Sequence, residues 1–418
     1  MEHSVKELGH AFSGAPTNLE DGSMVFFNPG AMNHVSGKLL SFSGYVAIPS
    51  ARFQDSASQL SPLLGGAPLQ GGNGGDSPGT VLIPNFYYVQ RLSERIAVGL
   101  GVNIPFGMQS SYHSDWKGRY QALDSEFVTV NFNPAASFKL TETLSVGAGF
   151  DVQYLKSKLT NAIDFGTICL QATNPAVCAG QGLLPQMADG HVSLKGDSVG
   201  VGYNIGVFYA PNIKTRLGVS YRSKVHHNVR GDANFTVPDN AVLLTQNNVF
   251  VDNRAKTSVT LPDNVMFGVY RQLNSYWAVT ADAMWTRWSH IQELRTQFSS
   301  AQPDDAQVLK WKDTWRLGFG VSYSPIINKM TLRTGFAYDE SPVPESTYRS
   351  PRIPDNDRYW LTAGISYAVF KNINLHAAYA HLFISDAAVN RTGTTGDQLV
   401  GKFSEHINIV GLQLDWRF

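Results

Sequence analysis

Val410-Gly411-Leu412-Gln413-Leu414-Asp415-Trp416-Arg417-Phe418 closes the chain. Val410, Leu412, Leu414, Trp416 and Phe418 take every second position, with Gly411, Gln413, Asp415 and Arg417 between them. Successive side chains of a strand point to opposite faces, so period two gives one apolar face and one small or polar face. A soluble β-sandwich turns its apolar face to a core and shows charge outside. Here the charges are few and the second face is small, as it is where the apolar face meets lipid and the other lines a lumen.

The same pattern recurs upstream. Ile96, Val98, Leu100, Val102, Ile104 and Phe106 alternate with Ala97, Gly99, Gly101, Asn103, Pro105 and Gly107. Leu144 to Tyr154 and Trp315 to Tyr323 repeat it, with Gly147, Gly149, Gly318 and Gly320 on the second face. A final alternating strand ending in Phe also resembles the terminal signal of outer-membrane barrels. Six short connections fall near Ser93-Glu94, Thr141-Glu142, Asn212-Ile213, Asn274-Ser275, Ile327-Asn328 and Asn372. Seven long ones, rich in Gly, Pro, Asn and Asp, centre on 49–79, 112–125, 164–191, 232–255, 290–310, 340–357 and 385–401. Short turns at one end and long loops at the other predict an all-β, transmembrane antiparallel barrel of about 14 strands over residues 38–418. Residues 1–37 fit no strand and are expected to form a hatch inside the lumen.

Composition narrows the classes. The 418 residues carry 33 basic and 33 acidic side chains, and a balanced chain gives no electrostatic case for nucleic acid. Charged residues are 16% of the total, below the roughly 25% of soluble domains. No run approaches the ~20 apolar residues of a membrane helix. Met1 to Lys6 lacks the apolar core of a signal peptide, so an exported chain would be a mature form with an added Met1. Cys169 and Cys178 share one irregular segment, which suits a loop disulfide in an oxidising compartment or two free thiols.

Motifs along nearly the whole chain then resemble the long-chain fatty acid transporter (FadL) family. They include Leu8-Gly9-His10-Ala11-Phe12-Ser13-Gly14, Asn28-Pro29-Gly30-Ala31 and Pro84-Asn85-Phe86. Lys312-Asp313-Thr314-Trp315-Arg316, Arg333 to Asp339, Ser341-Pro342-Val343-Pro344 and Ile353 to Leu361 follow in order. The family's hatch signature usually reads Asn-Pro-Ala, so Gly30 departs from it. The resemblance implies a fourteen-stranded barrel with a hatch (Asn28, Pro29, Gly30). It also implies passive uptake of hydrophobic molecules and lateral release through the wall, with no cofactor. Long-chain fatty acids are the substrate that the resemblance favours, with monoaromatic hydrocarbons such as toluene and xylene, or other neutral hydrophobics, as the alternative.

Several residues are candidates for that chemistry. Pro105 and Gly107 flank Phe106 in an otherwise regular strand; proline lacks the ladder donor and glycine tolerates a bulge. The resemblance makes this kink a lateral gate, against the plainer reading of an ordinary bulge. Lys310, Lys312 and Arg316 are expected on the inward parity, where a ligand carboxylate would offset the cost of burying a cation. The alternative is pairing with hatch acids such as Glu7, Glu20 or Asp21. The fatty acid branch has an arginine where Asn161 stands, a departure that weakens the case for a carboxylate ligand and leaves a neutral one open. Apolar residues of loops 164–191 and 232–255, including Leu184, Met187 and Leu243, form either an outer groove or loop–loop packing.

No metal-ligand spacing, phosphate cradle or nucleophile elbow is present, so neither an enzyme nor a metal site is expected. The expected partners are a hydrophobic small molecule, outer-membrane lipid and lipopolysaccharide, around a monomer in the bacterial outer membrane. The rival readings are a general porin and an outer-membrane hydrolase. A porin needs no hatch, and a hydrolase needs a nucleophile–base constellation that the sequence does not assemble.

Overall fold

A backbone in a bilayer must satisfy its hydrogen bonds within the protein, which leaves helices and closed barrels. No helix here is long and apolar enough to cross a membrane among the described residues. In the computed structural model, which describes residues 3–418, the chain closes instead into fourteen antiparallel strands. The first positions of the expected hatch, Met1 and Glu2, lie outside the described residues.

Strands β1 (Lys38–Asp55), β2 (Val81–Arg91), β4 (Asp124–Lys139), β5 (Leu144–Asp164) and β6 (Asp189–Asn212) are continuous. So are β11 (Met330–Asp339), β12 (Arg358–Phe370) and β14 (Gln398–Arg417). Six are broken. These are β3 (Ile96–Asn103, Gly107–Ser111), β7 (Thr215–Arg222, Val225–Thr236) and β8 (Asn253–Leu261, Asn264–Gln272). The others are β9 (Trp277–Thr286, Glu293–Phe298), β10 (Asp305–Val308, Thr314–Ile326) and β13 (Ile373–Ile384, Ala387–Thr392). Strand β1 pairs with β14 from Leu39↔Arg417 to Asp55↔Gly401, so the sheet closes on itself. All six expected short turns are present, and several strands run beyond the expected loop starts into the extracellular region.

Outward positions are apolar and bare. Leu412 is 68% exposed and Val199 63%, while Gly411, Gln413, Gly200 and Asn204 on the alternate faces point inward. The core lies inside the ring. Residues 3–35 fold into short helices, including α1 (Val5–Leu8) and α2 (Met24–Phe27), and are almost wholly buried. Val5, Leu8, Phe12 and Phe27 pack with wall residues Tyr45 and Trp360. Met24, Val25 and Met32 pack with Tyr87 and Phe208. Each such side chain contributes about 1.5–3 kcal/mol of burial. Helix α1 starts where Ser4 Oγ accepts from Glu7 N, and Gln413 of the wall accepts from Val5 N at 2.7 Å. In the loop after β5, helices α3 (Phe165–Ala172) and α4 (Pro175–Gly180) are joined by a Cys169–Cys178 disulfide.

Candidate ligand channel and wall gap

The break in β3 is a one-residue excess. Asn103 pairs with Asn131 and Gly107 with Val128 on β4, so residues 104–106 face only 129–130. Thr129 holds the surplus: its N–H donates to Phe106 O at 2.9 Å, and its Oγ1 accepts from Phe106 N at 3.0 Å. The other edge is not repaired. The β2–β3 ladder runs from Arg91↔Ala97 to Phe86↔Val102 and stops. Val81–Asn85 continue on the β1 side alone, and Gly107–Ser111 on the β4 side alone, among the described residues. Both flanks carry a proline, Pro84 and Pro105, which cannot donate to a ladder. A Cβ built on Gly107 would meet nothing within 4 Å. The wall therefore has a gap between β2 and β3 at this height.

Inside the gap lies a cavity of about 560 Å³, within the usual range for a small-molecule site. Its floor is the hatch, with Phe26 and Phe27. Its sides are apolar: Phe106 at the kink faces Trp288 at 6.1 Å between ring centroids, and Trp288 meets Trp311 at 5.3 Å. Leu155, Val259, Leu261, Ile291 and Leu309 complete the apolar cluster. The breaks in β9 and β10 carry Trp288, Ile291, Leu309 and Trp311, so the irregular backbone there turns side chains into the lumen.

One deeply buried cation on this cavity makes no ion pair among the described residues, although Asp305 lines the same cavity. It is Arg352, in the loop between β11 and β12, which is 6% exposed. Its Nη1 donates to Ser125 Oγ at 3.0 Å and Thr160 O at 3.1 Å, and its Nη2 to Asn161 Oδ1 at 3.2 Å. Its Nε has no partner. Burial pulls the guanidinium down to about 10, against the raising effect of nearby Asp305. The indole Nε1 of Trp311, also on the lining, is likewise unpartnered.

The expected site residues divide. Pro105, Phe106, Gly107 and Asn161 line the cavity. Lys310 and Lys312 do not: both are exposed, and Lys310 lies over the Tyr348 ring. Their expected inward parity fails because the chain leaves the ladder at 309–313, where Lys310 has φ +47, and Leu309 and Trp311 turn in instead. Arg316 does point inward but is 1% exposed and already paired, with Asp282 at 3.1 Å. Its other nitrogen donates to the hatch carbonyl of Ala11. It anchors the hatch, and the acid it uses is on the wall, not Glu7, Glu20 or Asp21. Arg352 was missed as a candidate, although it directly precedes the quoted Ile353-Pro354-Asp355 motif; a loop has no period to show where a residue points.

The hatch turn is seated as tightly. Asn28 Oδ1 accepts from Gly30 N at 3.0 Å, and Nδ2 donates to Pro16 O at 2.8 Å and to Val207 O of β6 at 3.0 Å. Gly147 and Gly206, paired across β5 and β6, leave the room: a Cβ on Gly206 would lie 2.0 Å from Asn28 Oδ1. A Cβ on Gly30 would meet Gly206 O at 2.9 Å, so this wall suits the glycine that departs from the family's alanine. Arg222 and Arg417 grip the hatch as Arg316 does, donating to the carbonyls of Phe26 and Glu20.

A closed barrel with a lipid-facing apolar surface, a buried hatch, an apolar lumenal cavity and a gap in its wall defines an outer-membrane transport protein for hydrophobic compounds. The whole chain, residues 1–418, matches the family model described as outer membrane protein transport protein (OMPP1/FadL/TodX), and the chain belongs to that family. A putative outer membrane protein NMB0088 of Neisseria meningitidis is 29% identical over 97% of this chain and 91% of its own. A long-chain fatty acid transport protein of Escherichia coli is 27% identical over 91% of this chain and 85% of its own. The crystal structure of a Pseudomonas aeruginosa FadL homologue shares the fold, with a TM-score of 0.89 at 23% identity over 100% of this chain and 98% of that one. Members of the family are transport channels rather than enzymes.

Proposed function

We propose that the protein imports long-chain fatty acids, which bind in the lumenal cavity with the carboxylate on Arg352 and leave sideways between β2 and β3. The observation that carries the reading is the coincidence of an unpaired cation and an open wall on one apolar cavity. A chain with ~400 Å² of apolar surface gains about 10 kcal/mol by staying out of water, at roughly 25 cal/mol per Å², so exit into the bilayer is favoured over exit into the periplasm. The E. coli relative named as a fatty acid transport protein supports the substrate class. The aromatic lining of Phe106, Trp288 and Trp311 favours a second reading, uptake of neutral monoaromatic hydrocarbons.

Deleting Gly107 removes the surplus residue and lets β3 pair regularly with β4. Uptake of radiolabelled oleate by cells should then fall to background while heat-modifiable mobility of the barrel is kept. Normal uptake through the repaired wall would refute lateral exit.

A further inference from the structure

The outer wall carries a second feature that transport does not use. Along β6 the outward positions Tyr209, Val207, Ile205, Tyr203, Val201 and Val199 are all exposed and apolar. That run spans about 33 Å at ~3.3 Å per residue. A tilt near 40° reduces it to roughly the 25 Å height of a lipid-facing band. Immediately above it the outward positions become Asp197 and Lys195. Neighbouring strands switch at the same height: Tyr154 gives way to Lys156 and Lys158 on β5, and β7 and β8 bring Arg230, Asp232, Arg254 and Lys256.

Within this band some cations are neutralised. Lys156 pairs with Glu126, Lys158 with Asp124 and Arg254 with Asp232. Lys195, Arg230 and Lys256 are exposed and form no ion pair among the described residues. Each has a like charge across one of its flanking strands. Arg230 lies between Lys256 on β8 and Asp197 on β6, and Lys195 between Lys158 on β5 and Asp232 on β7. Like charges directly opposite on one sheet face destabilise the pair. At the same end of the barrel on β1 and β14, Arg52 and Lys402 each have a carboxylate, Asp76 and Asp386. This sector thus holds three cations without ion pairs at headgroup height, directly above apolar wall, whereas Arg52 and Lys402 on β1 and β14 are neutralised.

We propose that this sector is a binding site for a phosphorylated glycolipid of the outer leaflet, lipopolysaccharide. Its phosphates bridge Lys195, Arg230 and Lys256, and its acyl chains lie on Val199, Val201 and Tyr154 below. Phosphate dianions relieve the opposed like charges, and the aliphatic and aromatic surface beneath matches acyl chains. Three charges, each contributing about fivefold near an anionic surface, make the expected effect roughly a hundredfold.

The test uses the purified full-length barrel in detergent, titrated with fluorescent bisphosphoryl lipid A. The triple variant Lys195→Gln, Arg230→Gln, Lys256→Gln should lose about a hundredfold in affinity, and Arg52→Gln on the other side of the wall should lose none. Dephosphorylated lipid A should bind wild type and triple variant alike. Unchanged affinity of the triple variant, or an equal loss in Arg52→Gln, overturns the site. Equal competition by phosphatidylglycerol micelles overturns the choice of glycolipid over any anionic lipid. Heat-modifiable mobility monitors folding. If the triple variant misfolds, Arg230→Gln and Lys256→Gln singly should each lose about fivefold, and no loss in either refutes the proposal.

Discussion

Replacing Arg352 with methionine separates a carboxylate ligand from a neutral one. The side chain keeps its apolar stem and loses the guanidinium, whose buried Nε has no partner. A hydrogen bond to a charged group is worth about 1.5–3 kcal/mol, which converts to a loss of roughly 10- to 150-fold in affinity. Displacement of a fluorescent fatty acid from the purified barrel should show that loss for oleate. Oleyl alcohol, with the same chain and no charge, should change by no more than about twofold on the same energy scale. The guanidinium is charged below its lowered value of about 10, so oleate affinity in the wild type should stay flat from neutral pH upward and fall as pH rises through 10. The variant also strips donors from Ser125 Oγ, Thr160 O and Asn161 Oδ1, so the loop could loosen. Loosening would weaken both ligands together, and that result, or no change in either, refutes the assignment of Arg352 to the head group.

The hatch gives two further tests. Gly206→Ala places a methyl 2.0 Å from Asn28 Oδ1 and should break the three hydrogen bonds of that side chain, about 0.5–1.5 kcal/mol each. Limited proteolysis of the hatch should then become faster with the barrel still folded, and unchanged cleavage would count against the seat. Ser13 Oγ lies 2.6 Å from Thr280 Oγ1, so Ser13→Cys with Thr280→Cys should form a disulfide that ties hatch to wall. Oleate uptake should survive that cross-link if the ligand leaves above the hatch; loss on oxidation with recovery on reduction would show that this part of the hatch must move.

The barrel was legible because lipid and lumen impose different chemistry on alternate residues, and the pattern survives wherever the ladder is regular. Parity fails where the ladder does. Counting back from Arg316 places Lys312 and Lys310 inward, but the irregular backbone of 309–313 slips the count, so Leu309 and Trp311 go in and the lysines go out. The partner of Arg316 was illegible for a related reason. Met284 stands opposite Arg316 in the β9–β10 register, which puts Asp282 on the diagonal, and register between strands is fixed only once the sheet is built. At 104–106 the sequence did carry the signal, since proline and glycine beside Phe106 mark a break whatever the neighbours do.

The small inward face was read as a lumen, and its glycines mark something more specific. A Cβ on Gly99 would strike Met32 and Val25, on Gly147 Pro29, on Gly218 Pro16, and on Gly335 the backbone of His10. Gly147 and Gly206 are paired in register, as are Gly218 and Gly268, and each pair receives one turn of the hatch. These glycines are the imprint of a packed plug, because only a wall without side chains lets a second backbone approach so closely. Where the hatch ends, the inward residues become large: Phe106, Phe127, Trp288 and Trp311. Among the described residues the barrel is therefore filled on the periplasmic side and hollow above. Wall arginines hold the hatch by its own carbonyls at Ala11, Phe26 and Glu20. A ligand held there, as proposed, would thus have a clamped floor below it and the broken ladder beside it, the arrangement that lateral exit requires.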